Sequence, residues 1–186
     1  MADTALLIID FQNDYFPGFP GAKWPLAGTE AAAANGAALL AKFRAQGLPV
    51  FHVRHEFPNA DAPFFQPGSE GAQIHAGMAP LEGEAVIVKQ QINSFRDTGL
   101  QQQLQQAGIR RLVIVGAMSH MCIDAATRAA ADFGYECLVA HDACATLDMA
   151  FDGVNVPAAQ VHAAFMAALQ FGYAKVESTE ALLQAV

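Results

Sequence analysis

The chain has 186 residues, a length that suits one domain with a complete hydrophobic core. Apolar residues make up 53% of it and charged residues only 15%, so most elements are internal or a second subunit covers part of the surface; a homo-oligomer, dimer or tetramer, is expected. A formal charge of −8 lacks the basic footprint of a nucleic-acid binder, and nothing approaches the roughly 18 consecutive apolar residues of a membrane span. The amino terminus runs straight into a strand rather than a signal peptide. Three cysteines without CxxC spacing suit a reduced, cytoplasmic protein better than a disulfide framework.

Strand and helix signals alternate along the chain, the pattern of a layered α/β fold. The apolar run 5–9 predicts a first strand that ends on Asp10. Residues 11–28 form a long loop rich in Gly, Pro and aromatics, among them Phe16, Phe19 and Trp24. An alanine-rich helix follows over 29–46, with Gly47 as its stop, and a second strand over 49–54. A second long loop, 55–80, carries His55, Phe57, Phe64 and Phe65 among four prolines; two such loops in a compact domain imply service to a site. The third strand ends on Lys89, and a helix covers 98–107. A fourth strand is predicted over 111–115, a helix over 121–133 and a fifth strand over 136–140. A helix over 157–170, a short sixth strand over 174–176 and a last helix over 179–185 complete the pattern. No repeat or linker divides it, so a single domain over 1–186 is expected: a three-layer α/β/α, Rossmann-like fold with a mostly parallel sheet of about six strands.

Parallel strands share one carboxyl edge, and ligands bind there. Asp10, Lys89 and Cys122 would therefore converge although far apart in sequence: a carboxylate, an ammonium and a thiol. Ser119 is placed to cap the helix after the fourth strand, which puts Cys122 in its first turn. Unpaired backbone N–H groups and the helix dipole there favour thiolate over thiol and can receive an oxyanion, with Asp124 tempering the field. The competing reading makes Cys122 a small buried apolar residue. Asp10 either pairs or caps the loop, a role Asp14 could fill equally; Lys89 either snorkels to solvent or pairs with the carboxylate. In the paired reading the ammonium steadies the thiolate while the carboxylate moves protons.

Leu-Leu-Ile-Ile-Asp-Phe-Gln-Asn-Asp near the start, Val-Lys-Gln-Gln-Ile-Asn-Ser-Phe in the middle and Val-Gly-Ala-Met-Ser-His-Met-Cys-Ile later, in this order and spacing, resemble the isochorismatase-like superfamily of cysteine hydrolases over essentially the full length. Ala-Thr-Arg-Ala-Ala-Ala-Asp-Phe-Gly-Tyr, followed by His-Asp-Ala-Cys-Ala-Thr, extends the likeness. The resemblance implies an Asp10–Lys89–Cys122 triad that cleaves a C–N bond of a small amide through a thioester. It also implies a cis peptide after Ala117 and an oxyanion hole from the backbone N–H groups of Met118 and Cys122.

Members acting on nicotinamide usually hold a metal with an aspartate and two histidines in the loop after the second strand, where this chain reads His52-Val53-Arg54-His55-Glu56-Phe57-Pro58 without the Asp-Trp-His pattern. On a strand His52 and His55 point to opposite faces, so neither metal nor cofactor is expected, and a metal-dependent nicotinamidase-type amidase stands as the alternative. Isochorismate-cleaving members act on a vinyl ether and often lack the cysteine; Cys122 favours amide hydrolysis. A nucleotide-binding Rossmann domain would need GxGxxG where Asp10-Phe11-Gln12 stands, while a non-catalytic small-molecule binding protein remains a second alternative. For the pocket, Phe16, Trp24, His55, Phe65 and His120 are the predicted contacts to a small-molecule substrate. Asn93 and Ser94 are read as fixing their loop, and Asp142 as bonding loop amides at the sheet edge.

Overall fold

The computed structural model describes residues 3–186. Its strands are β1 (Thr4–Ile9), β2 (Val50–His55), β3 (Ala85–Lys89), β4 (Arg111–Ala117), β5 (Glu136–Ala145), β6 (Met149–Phe151), β7 (Val154–Val156) and β8 (Lys175–Glu177). The main helices are α1 (Thr29–Ala45), α2 (Leu100–Gln106), α3 (Asp124–Asp132), α4 (Ala158–Gly172) and α5 (Thr179–Ala185). Six strands form one parallel sheet in the order β3-β2-β1-β4-β5-β8.

Every residue of β1 is buried, because helices cover both faces of the sheet at its centre. Leu6, Ile8, Val113 and Val115 face the layer of α1 and α5, against Leu39, Leu40, Phe43 and Leu182. Leu7, Ile9, Leu112 and Ile114 face the other layer, against Leu104, Ala126, Ala130 and Leu169 of α2, α3 and α4. The two alternating sets within one apolar run are what a doubly covered strand requires.

Strand order reverses between β1 and β4: the chain steps outward through β2 and β3 on one side and through β5 and β8 on the other. A crevice opens at the carboxyl ends of two strands that diverge in this way. Gly116 pairs with Ile9 at that point and has φ of +137°; a Cβ there would strike the Ile9 carbonyl oxygen, so glycine is required for β4 to close on β1.

Three local expectations differ from the structure. β5 continues past 140 to Ala145, because extra residues of β5 bulge out opposite Ile114–Gly116 and Cys144 and Ala145 then pair with Gly116 and Ala117. The β6–β7 hairpin was not predicted, although its turn, Asp152-Gly153 with φ of 48° and 77°, is a strong hairpin signal. The segment after β4 opens as one π-helical turn, Ser119–Ile123, before α3. Ser119 does not cap it: its hydroxyl bonds His162 Nδ1 at 2.8 Å and the Ala145 carbonyl at 3.3 Å. No helix among the described residues is long and apolar enough to cross a membrane.

Candidate active site

Asp10 follows β1 with φ of 56°, a left-handed conformation that turns its carboxylate under the crevice. Lys89 ends β3, two strands away, and its long side chain passes His55 of β2, its register partner. Cys122 sits in the π-turn after β4, where the Met118 carbonyl accepts the N–H groups of both Met121 and Ile123. All three side chains are buried and meet at Lys89 Nζ, which lies 2.8 Å from Asp10 Oδ2 and 3.2 Å from Cys122 Sγ.

The third proton of the ammonium has a partner that sequence reasoning placed elsewhere. Lys89 Nζ lies 3.0 Å from His55 Nδ1, so His55, expected as a substrate contact, also holds the lysine. Burial, together with the Lys89 charge, lowers His55 to about 4, which leaves the ring neutral with Nδ1 free to accept. Burial alone would lower Lys89 as well, but Asp10 and Cys122 outweigh it and the amine stays protonated. The Asp10 contact is an ion pair; neither of its buried oxygens completes a hydrogen bond of regular geometry.

Cys122 corrects the expectation of a resting thiolate. Burial pushes its thiol well above the ordinary range and Asp10 adds to this, with Lys89 offsetting only part. The π-turn and low exposure deny it the solvated helix end on which the dipole argument rested. Burial likewise pushes Cys137 and Cys144 up to about 12.

Above these groups lies a cavity of about 120 Å³. Its floor includes Asp10, Cys122, Met118 and His55, and the Ala117–Met118 peptide bond is cis. Its walls are Tyr15, Phe57, Phe64 and Phe65, ring against ring: Tyr15 and Phe65 centroids are 4.6 Å apart, and Phe64 meets Phe65 at 4.9 Å. Ile92 and Met121 form the partly exposed rim. Burial, then Cys122, Asp10 and Asp14, raise the Tyr15 phenol well above its usual range, so it is neutral.

Of the five predicted substrate contacts, His55 and Phe65 line this cavity and three do not. Phe16 is buried against Phe11 and stacks on His75 at 3.8 Å, anchoring its loop. Trp24 is 39% exposed and stacks on the outer side of the wall, on Phe64 at 4.9 Å. His120 turns away to Thr146 Oγ1 at 2.6 Å and to Phe165. Asn93 bonds the Phe95 N–H, and Asp142 accepts from the N–H and hydroxyl of Thr179; both hold backbone. His52 and His55 do emerge on opposite faces, His52 bonding Glu84 at 2.8 Å; among the described residues no three His, Cys, Asp or Glu side chains are grouped as a metal would need.

Two polar residues that sequence reasoning missed or left open place the walls. Gln12 is fully buried; its amide donates to the carbonyls of His55 and Ala72, and its oxygen accepts the His55 N–H at 2.7 Å. Asp14 accepts the N–H of Phe65 at 2.7 Å and of Lys23 at 3.1 Å. The two long loops are thereby joined, with backbone bonds from Asn13 to Gln73, Asp14 to Gly71 and His75 to Phe11.

The isochorismatase domain model matches residues 4–181. The chain belongs to the isochorismatase family. An uncharacterized isochorismatase family protein, YddQ of Bacillus subtilis (strain 168), is 52% identical over 181 residues, 97% of this chain and 99% of the relative. A solved protein from Oleispira antarctica, assigned to the isochorismatase hydrolases, is 68% identical with a TM-score of 0.96, covering 98% of this chain and 97% of its own. Maleamate amidohydrolase of Pseudomonas putida is 33% identical over 151 residues, 74% of this chain and 70% of the relative. This chain is thus an isochorismatase-family hydrolase, with amide-cleaving enzymes among its relatives.

Proposed function

We propose that this hydrolase cleaves the C–N bond of a small amide through a thioester on Cys122, with Asp10 and Lys89 as its partners and without a metal. The observation that carries the reading is the single ammonium held between the acid and the thiol, at 2.8 Å and 3.2 Å. With burial raising the Cys122 thiol, its proton passes to the Asp10 carboxylate as sulfur attacks the carbonyl carbon. Lys89 steadies the negative charge on sulfur while the thiol proton leaves; as the S–C bond forms that charge moves to the carbonyl oxygen, where the backbone N–H groups of Met118 and Cys122 receive it. Asp10 gives its proton to the departing nitrogen, leaving the thioester. It next takes a proton from water as hydroxide oxygen attacks, and returns it to the Cys122 sulfur as the acid leaves. The sum is amide plus water to acid plus amine, with the protein unchanged.

The test is a panel of small amides assayed for ammonia or amine release with wild type and Cys122→Ala. The variant should lose turnover by at least about 1,000-fold while keeping its unfolding midpoint. Mass spectrometry of a quenched reaction should find the acyl group on Cys122. Full activity in Cys122→Ala on a confirmed substrate would refute the mechanism. A ligand that binds tightly and is never hydrolysed by wild type, across the whole panel, would instead favour a non-catalytic binding protein.

A further inference from the structure

We infer that this site selects by charge: it takes small neutral amides and rejects amides that carry a carboxylate. The inference rests on the hydrolase reading and adds a substrate class to it. Among the described residues lining the cavity there is no lysine or arginine. The ammonium beneath the floor is already engaged, its three protons facing Asp10, Cys122 and His55 at 2.8, 3.2 and 3.0 Å. His55 cannot supply a second cation while its Nδ1 accepts from Lys89. The basic side chains at the end of β2 and on the first long loop have other partners: Arg54 pairs with Glu56 at 2.8 Å and bonds Gln73, and Lys23 Nζ bonds Gln66 at 2.6 Å.

A substrate carboxylate would therefore meet aromatic carbon, a neutral phenol, the neutral His55 ring and the Asp10 charge, with no cation free to pair with it. Neutral donors alone would leave much of the cost of taking its charge out of water unmet, since no cationic donor fork waits for it. A cavity of about 120 Å³, well under the roughly 300 Å³ at which pockets for drug-sized ligands begin, leaves little room for escorting water. The net charge of −8 disfavours anions at longer range as well. Maleamate, the substrate in the name of a relative at 33% identity, is itself a carboxylate, so the preference belongs to this cavity and not to the family.

Iodoacetamide and iodoacetate form a matched neutral and anionic pair that needs no knowledge of the substrate. Each alkylates sulfur: the S–C bond forms, iodide departs and the thiol proton passes to Asp10. Labelling of Cys122 would be followed by peptide mass spectrometry, with both rates divided by those for glutathione. The normalised amide-to-acid ratio should exceed one by about tenfold or more. Ile92→Lys sets a cation at the rim, where Ile92 is 37% exposed, and should bring the ratio back towards one; Met121→Lys serves if that variant does not fold. Equal normalised rates in wild type would overturn the inference. So would an unchanged ratio in the lysine variant, or failure of iodoacetamide to label Cys122 ahead of Cys137 and Cys144. Turnover separates the two readings: no Cys122-dependent ammonia release sinks the hydrolase reading whatever the ratio, whereas anionic amides outpacing neutral ones sinks the charge rule alone.

Discussion

The floor of the cavity is carried by strand ends and its walls by loops, and different forces hold the two. Asp10 and Cys122 follow β1 and β4, whose apolar faces are locked between helix layers, while Lys89 ends the edge strand β3, whose Ile87 packs in the core and whose Val86 and Val88 are exposed, so their positions follow from the sheet itself. Tyr15, Phe57, Phe64 and Phe65 stand on long irregular segments tied together by Gln12, Asp14 and a few backbone bonds. The floor concentrates charge where burial makes each missing partner costly; the walls are apolar and depend on a few backbone hydrogen bonds. Chemistry should therefore fail when the floor changes, and substrate binding when the walls do.

The largest effect is expected from breaking the floor. Lys89→Met leaves the Asp10 charge buried and unpaired, which should lower unfolding free energy by about 3–5 kcal/mol in denaturant titrations and abolish turnover. Adding Asp10→Asn should recover much of that stability and none of the activity. A double variant as unstable as the single one would mean that the ion pair is not what Lys89 supplies.

A wall variant should behave differently. Asp14→Ala strips the acceptor from the buried Phe65 N–H, at about 1–3 kcal/mol. With the floor intact, KM should rise several-fold while kcat changes less; the reverse split in steady-state kinetics would contradict the division drawn above.

The gentlest probe is pH. Burial lowers His52, His55, His75, His120 and His162, with His55 at about 4. Between the usual histidine value of about 6.5 and pH 4, the unfolded chain binds protons that the folded chain refuses, so stability rises with pH through this window and falls as pH drops. Glu84 acts in the same direction lower down. Burial would raise it, but Arg44, the Leu81 N–H and His52 hold it at about 2, so its contribution fades as pH falls from 4.5 towards 2. Thermal unfolding midpoints measured from pH 7.5 to 4.5 should decline steadily; a flat profile would show that these rings are not buried neutral.

Composition and apolar runs alone determined the layered α/β fold and the parallel sheet, and marked Asp10, Lys89 and Cys122 as the polar residues to which three strands lead. Those features come from short-range pattern: a doubly covered strand must read as unbroken aliphatic residues, and the polar residue that ends the run must lie at the sheet's edge. Only the tertiary structure decided what surrounds them. That Lys89 is also bonded by His55, that burial and Asp10 raise the Cys122 thiol, and that Ser119 turns to His162 instead of capping a helix all depend on groups 26 or more residues apart. The same is true of the walls, where Trp24 and Phe16 face away and Tyr15 faces in. Loop side chains carry no periodicity to reveal their direction, and a pKa is set by burial and by neighbours brought close only on folding.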